Sequence, residues 1–146
     1  MENVRIQHSL TLPNDVNTIP QLNEFIDSFC EEAGIDMGTT MSLNLALEEA
    51  VVNVMDYAYP KGTEGSVNIE ARLDDRGITF VIIDSGIPFD PTTTKDVDTT
   101  LPLEERDIGG LGIYLTRHIM DNIKYERNND KNILTLRKII NNERKH

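Results

Sequence analysis

Three short segments carry residue types at spacings that can do chemistry. In ALEEAVVNVMDYAYP, Glu49 and Asn53 stand four residues apart, which on a helix puts them on one face, one turn above the other. A carboxylate and a carboxamide oxygen stacked this way suit a hard cation such as Mg²⁺, which takes oxygen ligands and keeps part of its water. The carboxylate can equally serve as general base toward a hydroxyl or a water, or the pair can be the solvated flank of an amphipathic helix. In FVIIDSGIPFDP, Asp84 closes an apolar run and Gly86 follows where backbone can come close to a ligand. A carboxylate at a buried strand end can accept from an exocyclic amine of the kind adenine presents; Asp-Ser-Gly is also an ordinary turn. In DIGGLGIYLTRHIMD, Gly109, Gly110 and Gly112 precede a helical pattern. A helix start offers unpaired N–H groups and the positive end of the dipole to an anion, while the bland alternative is a loop that ends there. The GGLG spacing is neither the dinucleotide-binding nor the P-loop pattern, and no Lys-Ser/Thr follows it.

The surrounding elements must bring these segments together. Val4, Ile6, His8, Leu10 and Leu12 alternate as a half-buried strand ending at Pro13. Leu22, Phe25, Ile26, Phe29, Cys30 and Ala33 recur at helical spacing, with Pro20 in the first turn and Gly34 just past the end. A second helix carries Leu43, Leu47, Ala50, Val51, Val54 and Ala58 on one stripe and stops at Pro60. Glu49 and Asn53 lie beside that stripe, and Glu48 points elsewhere. Strands over 67–73 and 78–84 join through Asp75-Arg76-Gly77. The second of these is apolar almost throughout and reads as central in a sheet. From about 87 to 109 the chain lacks periodicity, which marks a lid over a site or a disordered segment. A helix over 111–122 and a hairpin pairing 123–127 with 133–140 complete the order. The pattern predicts one α+β domain over 1–146, a two-layer sandwich with helices on one face of a mixed, mainly antiparallel sheet.

Bulk composition narrows the function classes. The 146 residues carry a net charge of −11, and the basic residues are scattered apart from Arg144-Lys145. Direct nucleic-acid binding is not expected, since phosphate contacts require clustered Lys and Arg. No apolar run reaches the roughly 20 residues a membrane span needs, and the opening MENVRIQHSL does not read as a secretory signal. A single cysteine, Cys30, allows no intramolecular disulfide and no cysteine-based metal cluster, and reads as a core thiol. The expected location is cytoplasmic.

Taken together, EEAVVN, DSGIP and GGLGI resemble the N box and two glycine boxes of the GHKL superfamily of ATP-binding domains. Within it, DSGIPFDP and GGLGIYLTRHIMDNIKYER resemble the anti-sigma-factor serine-protein kinases of bacterial stress and sporulation switches, over about 43–138. The resemblance implies a Bergerat-type fold, ATP and Mg²⁺ as cofactors, and the following residue roles. Asn53 would hold the Mg²⁺ that bridges the phosphates, and Glu49 would be the general base for a partner's serine. Asp84 would receive the adenine amine, with Gly86 leaving room for the ring. Gly109, Gly110, Leu111 and Gly112 would supply backbone amides to the phosphates. Thr135 matches a strand threonine near adenine. Tyr57 stands where these kinases usually carry histidine and is expected to pack or shape the pocket. His8 and His118 read as structural residues, Arg117 and Asp121 as helix surface. The histidine-kinase branch is disfavoured, since no dimerisation helix with a phosphoacceptor histidine precedes the domain.

The implied function is an ATP-binding anti-sigma factor that phosphorylates a serine of an anti-anti-sigma protein and sequesters a sigma factor, as a homodimer. Two alternatives stand beside it: a nucleotide-gated partner-switch module that transfers nothing, and an α+β domain without nucleotide.

Overall fold

The computed structural model describes residues 4–60, 62–93 and 113–140. Gly109, Gly110, Leu111 and Gly112 lie outside the described residues, as does most of the 87–109 stretch.

Strand β1 (Ile6–Pro13) leads through a short 3-10 turn into helix α1 (Ile19–Ala33), which Pro20 opens and Gly34 closes at φ 73°. That left-handed geometry suits glycine, and it lets the Gly34 amide reach the carbonyls of the last turn. Helix α2 (Met37–Tyr57) begins two turns before its apolar stripe, because the Asp36 carboxylate caps the Thr39 amide at 2.9 Å. Met37 and Met41, 81% and 64% exposed, contribute nothing to the buried stripe that periodicity detects. Strands β2 (Ser66–Leu73) and β3 (Gly77–Asp84) meet at a turn held by Asp74 Oδ1, which accepts from the amides of Arg76 and Gly77. Helix α3 is short (Tyr114–Ile119) and ends before the expected 122. Strands β4 (Asn122–Asn128) and β5 (Lys131–Ile139) turn through Asn129 and Asp130, at φ 54° and 64°. These residue types tolerate the left-handed pair of dihedrals that a two-residue hairpin needs.

The five strands run in the order β1-β2-β3-β5-β4, and all four pairings are antiparallel. The register aligns inward residues in rows across the sheet: Leu10, Ile69, Ile82, Leu134 and Tyr125 form one, and Ala71, Phe80, Leu136 and Ile123 another. These rows share one core with Leu22, Ile26 and Phe29 of α1 and Leu43, Leu47 and Val51 of α2. Each Leu, Ile or Phe buried there stabilises the fold by about 1.5–3 kcal/mol. The next row reads Leu12, Val67, Asp84, Asn132, so the apolar layer gives way to polar side chains at one end of the sheet. Among the described residues no helix is long and apolar enough to cross a membrane.

Candidate functional site

Helix α2 delivers the first two candidate residues. Asn53 is 5% exposed; its Nδ2 donates to the Glu49 carbonyl at 3.3 Å, while its Oδ1 is buried without a hydrogen-bond partner among the described residues. An orphaned amide oxygen in a folded interior is expensive unless something binds it, and an oxygen ligand is what Mg²⁺ takes. Among the described residues no group of three or more His, Cys, Asp or Glu could hold a metal. The buried carboxamide oxygen of Asn53 fits one ligand of a Mg²⁺ whose other positions phosphate and water oxygens would fill.

Glu49 turns toward α3, whereas Glu48 turns toward α1 and accepts from Asn23 at 3.1 Å. Glu49 Oε1 accepts from the Thr116 amide at 2.7 Å and the Thr116 hydroxyl at 2.8 Å. Its Oε2 accepts from the Leu115 amide at 3.2 Å. Ile113, at the N-cap of α3, provides no side-chain cap, so a carboxylate from another helix satisfies the free amides of its first turn.

Asp84 ends β3 at 3% exposure, and both of its hydrogen bonds fall on Oδ1: Gly86 N at 2.8 Å and Asn132 Nδ2 at 2.8 Å. Oδ2 is left as an acceptor among the described residues. Burial pushes the Asp84 carboxyl above its ordinary value, and the Asn132 and Gly86 hydrogen bonds and the Arg127 charge pull the other way. The sign follows from proton counting. Between the unfolded value near 3.8 and the raised folded value, the folded chain holds a proton that the unfolded chain has lost. Asp84's contribution to stability is therefore present in acid and lost as pH rises through that window. With Oδ1 already accepting from two donors, a proton on the carboxyl would sit on Oδ2 and oppose an amine there. If Asp84 receives the adenine amine, nucleotide affinity is therefore expected to fall on acidification through the same window. Binding titrations from neutral pH downward check this, and Asp84→Asn should flatten the response.

Two residues that sequence reasoning passed over organise this corner. Asn132 is buried; besides Asp84 it donates to the Ile87 carbonyl at 2.8 Å and accepts from the Phe89 amide at 3.2 Å. Tyr125 completes its valences by donating its hydroxyl to Asn132 Oδ1. Period-two alternation was the available signal: Leu134 and Leu136 point inward, so Asn132 does as well. The same alternation places Thr135 on the opposite sheet face, in the row of Ser9, Glu70, Val81 and Lys124. The expected place of Thr135 beside adenine is corrected on that ground, since it and Asp84 lie on opposite faces.

Gly86 also has a different reason than clearance for a ring. A Cβ built there would fall on the Ala58 carbonyl oxygen, and the neighbouring Ile87 amide donates to that oxygen at 2.7 Å. Gly86 thus lets the β3–loop junction sit directly on the end of α2, fixing Asp84 relative to Asn53. Gly86→Ala is expected to destabilise the chain by about 1–3 kcal/mol, measured as a lowered urea midpoint. Tyr57 stacks on Phe89 at 5.6 Å, in line with a packing role. Arg117 is exposed on α3, as expected of helix surface, and its Nη2 donates to the Thr92 carbonyl at 2.5 Å, joining the two described flanks of the 94–112 segment. Asp121 accepts from the Ile139 amide at 2.6 Å and so braces β5.

Helix α2, which carries Glu49 and Asn53, is tied to α3 through Thr116, and its end at Ala58 is tied to the Gly86-Ile87 turn that follows Asp84. Comparison with known proteins points the same way. Residues 12–138 match the family model of the histidine kinase-like ATPase domain. A serine/threonine-protein kinase named BtrW, from Bordetella bronchiseptica, is 30% identical over 95 residues, covering 65% of this chain and 67% of that one. A serine-protein kinase named RsbW, from Halalkalibacterium halodurans, is 25% identical over 118 residues, covering 73% and 72%. A crystal structure of RsbU and RsbW domains from Mycobacterium tuberculosis superimposes with a TM-score of 0.65 at 15% identity, covering 92% of this chain and 33% of that one.

Proposed function

The chain belongs to the family of histidine kinase-like ATPase domains, and from that premise we propose that it is an ATP-dependent protein kinase acting on serine. The observation that carries the proposal is the pairing on α2: an ionisable carboxylate, Glu49, one turn from the orphaned buried oxygen of Asn53. The names of the two kinase relatives support the same reaction class.

In this reading Asp84 Oδ2 accepts the adenine amine, and Asn53 Oδ1 holds the magnesium ion. Bound magnesium would neutralise charge on the phosphates. Glu49 Oε2, with a single longer hydrogen bond, takes the proton of an incoming serine hydroxyl. As the serine oxygen bonds to the γ-phosphorus, the bond from phosphorus to the bridging oxygen breaks and ADP leaves with that electron pair. Gly109, Gly110, Leu111 and Gly112 complete the reading as phosphate-facing amides ahead of α3.

The substrate proposed is an anti-anti-sigma protein, with a sigma factor as the second partner held by the nucleotide-loaded chain. Co-purification of the chain with each candidate, with ATP and with ADP, tests the partner exchange. One observation favours a second reading. Glu49 already has a structural task as the cap of α3, which a nucleotide-gated module that transfers nothing would equally need. Turnover separates the two, and partner binding does not.

A further inference from the structure

We propose that Thr116 is the positioning residue that sets Glu49 for proton transfer; the proposal rests on the kinase reading above. Thr116 is fully buried (0% exposed), in the first turn of α3. A threonine at that depth must have its hydroxyl satisfied, and here the hydroxyl lies 2.8 Å from Glu49 Oε1 and 2.9 Å from the Ala46 carbonyl of α2. Its own amide also donates to Oε1, at 2.7 Å. One residue thus places its amide on Oε1 and a hydroxyl whose single hydrogen is shared between Oε1 and the Ala46 carbonyl.

The consequence is an asymmetry between the two oxygens. Oε1 is held by a short amide contact and a hydroxyl. Among the described residues Oε2 carries only the Leu115 amide, at 3.2 Å. The anchored oxygen fixes the carboxylate plane, and the lightly held one keeps the lone pairs that receive a proton. Without the hydroxyl, the amide alone would hold Oε1 and the carboxylate could rotate about its last torsion, which is soft. Misplaced general bases lose rate because proton transfer requires hydrogen-bond reach to the reacting hydroxyl.

In the reaction, the serine O–H bond breaks and its proton goes to Glu49 Oε2. The serine oxygen bonds to the γ-phosphorus of ATP, and the bond to ADP breaks with its electron pair on ADP. Thr116 keeps its own hydrogen throughout and touches neither substrate nor nucleotide. The contact also ties α3, which follows the glycine segment, to the helix bearing the base. Sequence inspection offers no hint of this, because Thr116 reads as an ordinary polar position on an amphipathic turn.

The experiment measures phosphoserine formation on the partner protein by wild type, Thr116→Val and Thr116→Ser, alongside the dissociation constant of a fluorescent ATP analogue. Thr116→Val is expected to lower kcat about tenfold with nucleotide affinity and KM for ATP unchanged, and Thr116→Ser to restore most of the rate. A Val variant as fast as wild type, or a Ser variant as slow as Val, overturns the role of Thr116 while leaving the kinase reading intact. A wild-type chain that binds nucleotide but forms no phosphoserine overturns the kinase reading, and this role with it. A readout without nucleotide comes from urea unfolding of Thr116→Val, Glu49→Ala and the double variant. The double variant should be destabilised by less than the sum of the two single variants; full additivity contradicts the contact.

Discussion

Glu49→Gln is expected to lower phosphate transfer by about 10²–10⁴-fold, the usual contribution of a positioned general base, while leaving nucleotide binding close to wild type. The separation follows from the contacts. A glutamine carbonyl oxygen can still accept from the Thr116 amide and hydroxyl, and only the longer Leu115 contact, which would meet the new NH₂, is lost, so the chain should fold. What disappears is an oxygen basic enough to take a serine proton. Rapid-quench assays with the partner protein, together with calorimetric titration of Mg·ATP, measure the two quantities independently. If Glu49 only caps α3, the substitution leaves transfer as it was, and the structural task already visible at this residue is its whole role.

Asp84→Asn is the second large effect, this time on binding. Losing a hydrogen bond to an ionised group costs about 1.5–3 kcal/mol, or on the order of 10- to 150-fold in the dissociation constant for ATP. The variant also confronts an amide with the Gly86 and Asn132 donors that both converge on Oδ1. Its carbonyl oxygen can keep those two bonds only by turning its NH₂ toward the ligand, where a second donor meets the adenine amine. Affinity for ADP should fall in parallel, since the adenine contact is common to both nucleotides, whereas inorganic triphosphate should bind as it does to wild type. An Asn variant with wild-type ATP affinity would remove Asp84 from the site.

Much of the frame is readable from residue order. The alternation of Val67, Ile69 and Ala71 and the stripe of Leu43, Leu47 and Val51 each obey a single period, and each element forms where its period predicts. Failures occur where a residue's role depends on a partner far along the chain. The apolar stripe does not mark where α2 begins, because Met37 and Met41 face outward and the start is set by the Asp36 cap. Helix α3 ends short of the expected 122, because Met120 is already extended and Asn122 begins β4.

The site divides in the same way. Glu49, Asn53 and Asp84 are legible because their neighbours in sequence announce helix face or strand end. Asn132 pairs with Asp84 across 48 residues, and Thr116 with Glu49 across 67. Such pairings follow only from strand order and helix packing, which local periodicity does not contain. Thr135 shows the converse: a residue type matched by resemblance, placed by strand alternation on the wrong side of the sheet. At Gly86 the group that approaches closely is the Ala58 carbonyl, a contact between distant segments that local sequence does not announce.

The central claim is transfer of a phosphoryl group from ATP to serine at Glu49. The most direct measurement incubates the chain with Mg²⁺, [γ-³²P]ATP and the anti-anti-sigma partner, followed by phosphoamino-acid analysis of the partner. The account predicts label on a single serine with wild type and essentially none with Glu49→Gln, although both bind Mg·ATP. An unlabelled partner in the presence of bound nucleotide, or equal labelling by the two proteins, would contradict it.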